Sequence, residues 1–103
     1  MKVEIGPIDT LPRDRGIRVT VGDERVAMFR IGEEVFAVSD RCSHAEASLA
    51  EGEVFGYEVE CPRHGSEFDL RTGVALSLPA TRPVPTFPVS IEDGTVYLLL
   101  GDT

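Results

Sequence analysis

At 103 residues, with 42% hydrophobic residues and a formal net charge of −8, the chain has the size and composition of one globular domain with its own core. The longest apolar run, Val96 to Leu100, is far too short for a membrane-spanning helix. The acidic balance argues against nucleic acid as a partner, because phosphate binding needs the opposite sign.

In chain order, short alternating or β-branched runs separated by turn residues predict an all-β protein. Val3 and Ile5 begin a first strand, stopped by Gly6-Pro7. Ile17 to Val21 reads as a second, closed by Gly22-Asp23, and Arg25 to Ile31 as a third. Gly32-Glu33-Glu34 joins it to a fourth at Val35 to Val38, and the four are expected to form an antiparallel meander. Residues 40 to about 72 read as an insertion carrying short strands at Val54-Phe55, Tyr57 to Glu60 and Glu67 to Leu70, with at most one helical turn within Ala45 to Ala50. Pro79, Pro83, Pro85 and Pro88 stiffen the next segment and remove amide donors, which suits an edge or a covering loop. Val89 to Glu92, Asp93-Gly94 and Thr95 to Leu100 then form the clearest hairpin. Phe29, Phe36, Phe55, Phe68 and Phe87 are read as core residues, and Glu46 and Arg63 as exposed loop residues.

All cysteines and histidines fall in one stretch: Cys42-Ser43-His44, sixteen residues, then Cys61-Pro62-Arg63-His64. Two thiolate formers and two imidazoles in two short loops point to a metal site. A structural zinc site normally spaces paired ligands two to four residues apart, and Cys-x-His is tight for one ion. A catalytic zinc keeps one position open. A two-iron, two-sulfide cluster suits the spacing if each loop serves both irons. A Cys42 to Cys61 disulfide is the plain alternative, but it leaves the paired histidines unexplained.

Charge is uneven along the chain. Residues 42 to 72 hold two basic against seven acidic side chains, so acidity gathers in the ligand-bearing stretch and favours a partner with a basic face. The amino terminus, Met1-Lys2-Val3-Glu4-Ile5-Gly6-Pro7, lacks the order of a secretory signal. A cytoplasmic location, where thiols stay reduced, is expected.

Cys42-x-His44 and Cys61-x-x-His64 followed by Gly65 resemble the ligand signature of Rieske iron-sulfur proteins. The similarity extends to Glu34-Val35-Phe36-Ala37-Val38, to Ser48-Leu49-Ala50-Glu51-Gly52 and to Phe68-Asp69-Leu70-Arg71-Thr72-Gly73, nearly the whole chain. Leu78-Pro79-Ala80 resembles the proline loop that lies over the cluster in this family. The resemblance implies a Rieske-like antiparallel β-sandwich, a single domain over 1–103, with a cluster-binding subdomain at about 40–72 and a proline loop at about 77–88. It implies one 2Fe-2S cluster, with Cys42 and Cys61 on the inner iron and His44 and His64 on the outer. Gly65 would relieve crowding beside the cluster, Pro79 would cover it, and the Ser66 hydroxyl would be available for hydrogen bonding.

Within the family the chain resembles the short soluble ferredoxins of bacterial aromatic-ring dioxygenase systems. Respiratory members carry an extra cysteine in each loop, forming a disulfide; here those places hold Ala47 and Arg63. They also follow the second histidine with a Ser and a Tyr, where this chain has Ser66 but Phe68, so a potential low in the family range is expected. The implied role is that of a one-electron carrier and not an enzyme: a monomer taking electrons from a flavin-dependent ferredoxin reductase and passing them to a non-haem iron oxygenase, docking near the His44/His64 tip. A role in iron-sulfur cluster assembly and a zinc-stabilised interaction module are the alternatives.

Overall fold

The computed structural model describes residues 1–43, 46–78 and 80–101. Among these residues, ten strands occupy Lys2–Pro7 (β1), Gly16–Val21 (β2), Glu24–Ile31 (β3), Glu34–Ser39 (β4), Val54–Phe55 (β5), Glu58–Glu60 (β6), Glu67–Asp69 (β7), Thr86–Phe87 (β8), Val89–Glu92 (β9) and Thr95–Leu99 (β10). They form three antiparallel sheets, ordered β1-β10-β9, β2-β3-β4-β8 and β5-β6-β7. Single 3-10 turns lie at Ile8–Thr10 and Leu49–Glu51. No helix among the described residues is long and apolar enough to cross a membrane.

The middle sheet separates two cores, and β3 explains why. Its residues Val26 to Arg30 are all buried, and Val26 to Phe29 make the continuous apolar run of a strand covered on both faces. Because successive side chains alternate, Val26 and Met28 enter one core with Val96, Leu98 and Leu100, while Ala27 and Phe29 enter the other. That second core also contains Cys42, Leu49, Val59, Cys61, Phe68 and Ala80. The ligand loops are thus anchored in a hydrophobic layer shared by the middle sheet and the small β5-β6-β7 sheet.

The expected strands are present, with two differences: the first continues through Gly6 and Pro7 instead of stopping there, and its pairing is not that of the meander. The meander covers only β2, β3 and β4; β1 pairs with β10, with Lys2 opposite Leu99 and an irregularity between Glu4 and Gly6. The connection through Ile8–Thr10 and Leu11 carries the chain from one sheet to the other, and Val3 and Ile5 pack on the core that Val96 and Leu98 fill. The proline-rich segment contributes only the two-residue edge strand β8 against β4. Asp93 and Gly94 have φ of 51° and 78°, the two positive values of a type I′ hairpin turn.

Phe29 and Phe68 are 0% exposed, each worth about 1.5–3 kcal/mol of burial. Phe36 and Phe87 are half-buried. Phe55 is not a core residue: it is 50% exposed. In the two-residue strand β5, Val54 lies opposite buried Val59 and packs against the core, so Phe55 takes the outer face opposite Glu58.

Candidate metal centre

The two loops are shaped by short hydrogen bonds that involve the cysteine backbone directly. The Cys42 amide donates to the Ala47 carbonyl at 3.1 Å, and Arg41 and Ser48 bridge across the same loop. In the second loop the Cys61 amide donates to the Ser66 carbonyl at 2.7 Å, and the Gly65 amide returns to the Cys61 carbonyl at 2.9 Å. Gly65 closes this turn with φ of 78°, a left-handed conformation that by itself calls for glycine.

Cys42 and Cys61 are 3% and 0% exposed, belong to the same buried cluster and are not joined in a disulfide. His64 is exposed, as are Pro62 and Arg63 beside it. His44 and Pro79 lie outside the described residues. Among the described residues no group of three or more His, Cys, Asp or Glu is gathered for a metal ion. The described donors fit an iron-sulfur group nonetheless: two thiols share an apolar layer while one imidazole stands at the surface, a donor set of the right chemistry at two depths.

A third segment ties the loops together. The buried Ser66 hydroxyl oxygen accepts from the Ala80 amide at 3.0 Å, and the Ser43 hydroxyl donates to the Arg82 carbonyl at 2.8 Å. The segment following residue 79 is therefore pinned to both ligand loops. Below it, the Glu67 amide donates to the Ser77 hydroxyl oxygen at 2.9 Å, and Leu78 is left 78% exposed.

Asp40 is a supporting residue that the sequence pattern did not reveal. It is 0% exposed, and its carboxylate accepts from the Ser48 hydroxyl at 2.8 Å, the Ala50 amide at 2.9 Å and Arg18 Nε at 3.0 Å. Its carbonyl also accepts from the Leu49 amide at 2.7 Å. One buried carboxylate thus gathers the far end of the first ligand loop. The only linear signal was its position two residues before Cys42.

At the boundary between the middle and small sheets, Tyr57 donates from its hydroxyl to Glu34 at 2.9 Å and meets Phe36 edge-on, with centroids 5.7 Å apart. The hydrogen bond to Glu34 raises the Tyr57 pKa above the ordinary phenol value. Arg71 lies over the Tyr57 ring at 4.7 Å and donates to Asp69 at 3.1 Å. That hydrogen bond holds the Asp69 carboxyl below the usual carboxylate range. Glu46 and Arg63 are exposed, as expected.

Comparison with known proteins agrees with this geometry. The Rieske [2Fe-2S] domain model matches residues 1–88. The chain is 45% identical, over 92% of its length and 90% of the relative's, to the 3-phenylpropionate/cinnamic acid dioxygenase ferredoxin subunit of Photorhabdus laumondii. It is similar to the solved ferredoxin of carbazole 1,9a-dioxygenase from Nocardioides aromaticivorans IC177, with TM-score 0.91 and 33% identity over 95% of this chain and 96% of that one. It is also similar to a chain in the complex of reduced oxygenase and oxidized ferredoxin in carbazole 1,9a-dioxygenase, with TM-score 0.90 and 35% identity over 94% of this chain and all of that one. With two buried thiols at the convergence of two tight loops and a domain match that spans both, the chain belongs to the Rieske [2Fe-2S] family and its cofactor is one Rieske-type 2Fe-2S cluster.

Proposed function

We propose that this protein is a one-electron carrier that takes its electron from a flavin-dependent ferredoxin reductase and delivers it to the terminal non-haem iron oxygenase of an aromatic-ring dioxygenase system. The observation that carries this reading is the 45% identity, over nearly the full length of both chains, with a dioxygenase ferredoxin subunit. When bound, the cluster supplies a centre that takes up and releases one electron.

Cys42 and Cys61 would hold that group through their thiolates, and His44 and His64 through their imidazoles. Cysteine thiolates, kept dry by Leu49, Val59 and Phe68, anchor it to the fold. The exposed His64 would bring the group within reach of a partner at the surface. Ser66 and the segment pinned to it restrict solvent access, one of the terms that sets the potential. Both histidines of the sequence would be used in this way, which would leave none for a separate mononuclear iron site of the kind an oxygenase needs. We place the protein in the cytoplasm, where its two thiols remain reduced until the cluster is inserted.

The test is a visible and electron paramagnetic resonance spectrum of the reduced protein, which distinguishes mixed His and Cys ligation from ligation by Cys alone. His44→Ala and His64→Ala are each expected to lose the cluster or its Rieske spectrum. An unchanged spectrum in either variant removes that histidine from the ligand set. Delivery is tested by reoxidation of the reduced protein on mixing with a terminal oxygenase.

A further inference from the structure

Counted along the chain, the ligand-bearing stretch is acidic; in the folded molecule one side of the loops also gathers arginines. Glu58 pairs with Asp69 and Glu60 with Glu67 across β6 and β7, so these four carboxylates belong to the small sheet. Meanwhile Arg18 of β2 and Arg25 of β3 line an open cleft of about 560 Å³ whose opposite wall includes Pro62 and Arg63 of the second ligand loop. The cleft also borders Ser48, just past the first loop.

Two carboxylates share this cleft, Glu46 and Glu51, and both already face arginines. Glu51 lies 3.3 Å from Arg18 and Glu46 lies 4.0 Å from Arg41. Among the described residues, no carboxylate lies within ion-pair distance of Arg25 or Arg63. The Arg25 carbonyl accepts from the Asp40 amide at 2.9 Å, which fixes this part of β3 against the first loop. Two guanidinium groups, each a planar fork suited to a carboxylate, therefore stand beside the ligand loops of a chain that carries −8 overall.

We infer that this cleft is a docking contact for the electron-accepting oxygenase and receives Asp or Glu side chains of its surface against Arg25 and Arg63. The inference rests on the electron-carrier reading above. A uniformly basic partner would be drawn to the molecule as a whole but repelled at this point. The complementary face is mixed: acidic at the cleft and basic toward the small sheet. Two patches of opposite sign fix the rotation of the partner about the tip, which one patch alone cannot do.

The test uses the cluster-loaded protein at low ionic strength and hexaglutamate as the probe, with binding followed by calorimetry. Hexaglutamate is expected to bind saturably, about two- to fivefold more weakly in Arg25→Glu and in Arg63→Glu, the scale for exposed ion pairs. Arg13→Glu, at a distant exposed arginine paired with Glu33, is expected to change nothing. An unaltered visible spectrum establishes that each variant retains its fold. No saturable binding, or equal weakening by Arg13→Glu, overturns the carboxylate site.

A second arm uses the terminal oxygenase of 3-phenylpropionate/cinnamic acid dioxygenase. The Arg25→Glu, Arg63→Glu double variant is expected to need about tenfold more oxygenase for half-maximal reoxidation. If hexaglutamate binding depends on these arginines but half-saturation is the same in both proteins, the cleft serves a free carboxylate and the oxygenase is not its occupant. If the unaltered protein passes no electron to the oxygenase while hexaglutamate still binds, the electron-carrier reading fails, the oxygenase falls with it as occupant, and the carboxylate site stands.

Discussion

Asp40→Ala is the substitution whose cost the structure specifies most closely. The carboxylate is fully buried and accepts from the Ala50 amide, the Ser48 hydroxyl and Arg18. Hydrogen bonds to a charged group contribute about 1.5–3 kcal/mol each, which covers Ala50 and Ser48. The Arg18 side chain is 45% exposed, so its pairing adds only about 0.2–1 kcal/mol, and water replaces the lost partner. The sum is about 3–7 kcal/mol, a large part of the roughly 5–15 kcal/mol that stabilises an ordinary domain. With about 4–8 °C per kcal/mol for a domain near this size, the midpoint should fall by at least about 12 °C. Arg18→Ala should cost about 1 kcal/mol or less, and Asp40→Asn, which keeps one acceptor oxygen, should fall between them. Thermal unfolding of the cluster-loaded protein by far-ultraviolet circular dichroism, at one scan rate because cluster loss makes unfolding irreversible, is the assay. Visible absorption in the same scan reports the cluster. An Asp40→Ala midpoint within about 5 °C of the unaltered protein, roughly 1 kcal/mol, or an Arg18→Ala loss as large as that of Asp40→Ala, would refute the reasoning.

Three further outcomes follow from the same kind of accounting. Ser66→Ala removes the acceptor of the Ala80 amide inside the protein, at about 1–3 kcal/mol; hydrogen exchange at Ala80 should accelerate, and unchanged exchange there would show that the bond holds nothing in place. Gly52→Ala drives a Cβ into the Glu60 carbonyl on β6, so overpacking of about 1–3 kcal/mol should lower the unfolding midpoint, and an unmoved midpoint would mean that the small sheet yields freely. The Arg71 hydrogen bond depresses the Asp69 pKa, so its stabilisation is complete above the ordinary aspartate value of about 3.9 and is lost as pH falls through the lower folded value. Arg71→Ala should flatten the acid limb of the stability profile, and superimposable profiles would dispose of the coupling.

What could be read from the sequence was what local chemistry determines. Asp93-Gly94 announced its hairpin because two residues alone set the turn, and Cys42, His44, Cys61 and His64 announced a metal site because rare ligand types were crowded into two loops. The partner of β1 could not be read, since its pairing with β10 depends on a core contributed from both ends of the chain. Phe55 was misplaced because a two-residue strand is too short for alternation to show which face is inward. Asp40 went unnoticed because its burial depends on donors from β2 and from beyond the first loop. The arginines beside the loops went unread for a related reason: Arg18 and Arg25 reach them through folding, not through sequence proximity.

The pairing of β1 with β10 also sets an order on assembly. In a chain made from its amino end, Val3 and Ile5 have no sheet to join until Val96 and Leu98 have been synthesised. Joining such distant segments forfeits about 4 kcal/mol of loop entropy for a loop of roughly 90 residues. The middle sheet, the small sheet and both ligand loops lie wholly between those ends. The half of the molecule that receives the cluster can therefore take shape first, and the outer sheet is stitched on from the two ends afterwards, like a cover closed over a finished mechanism.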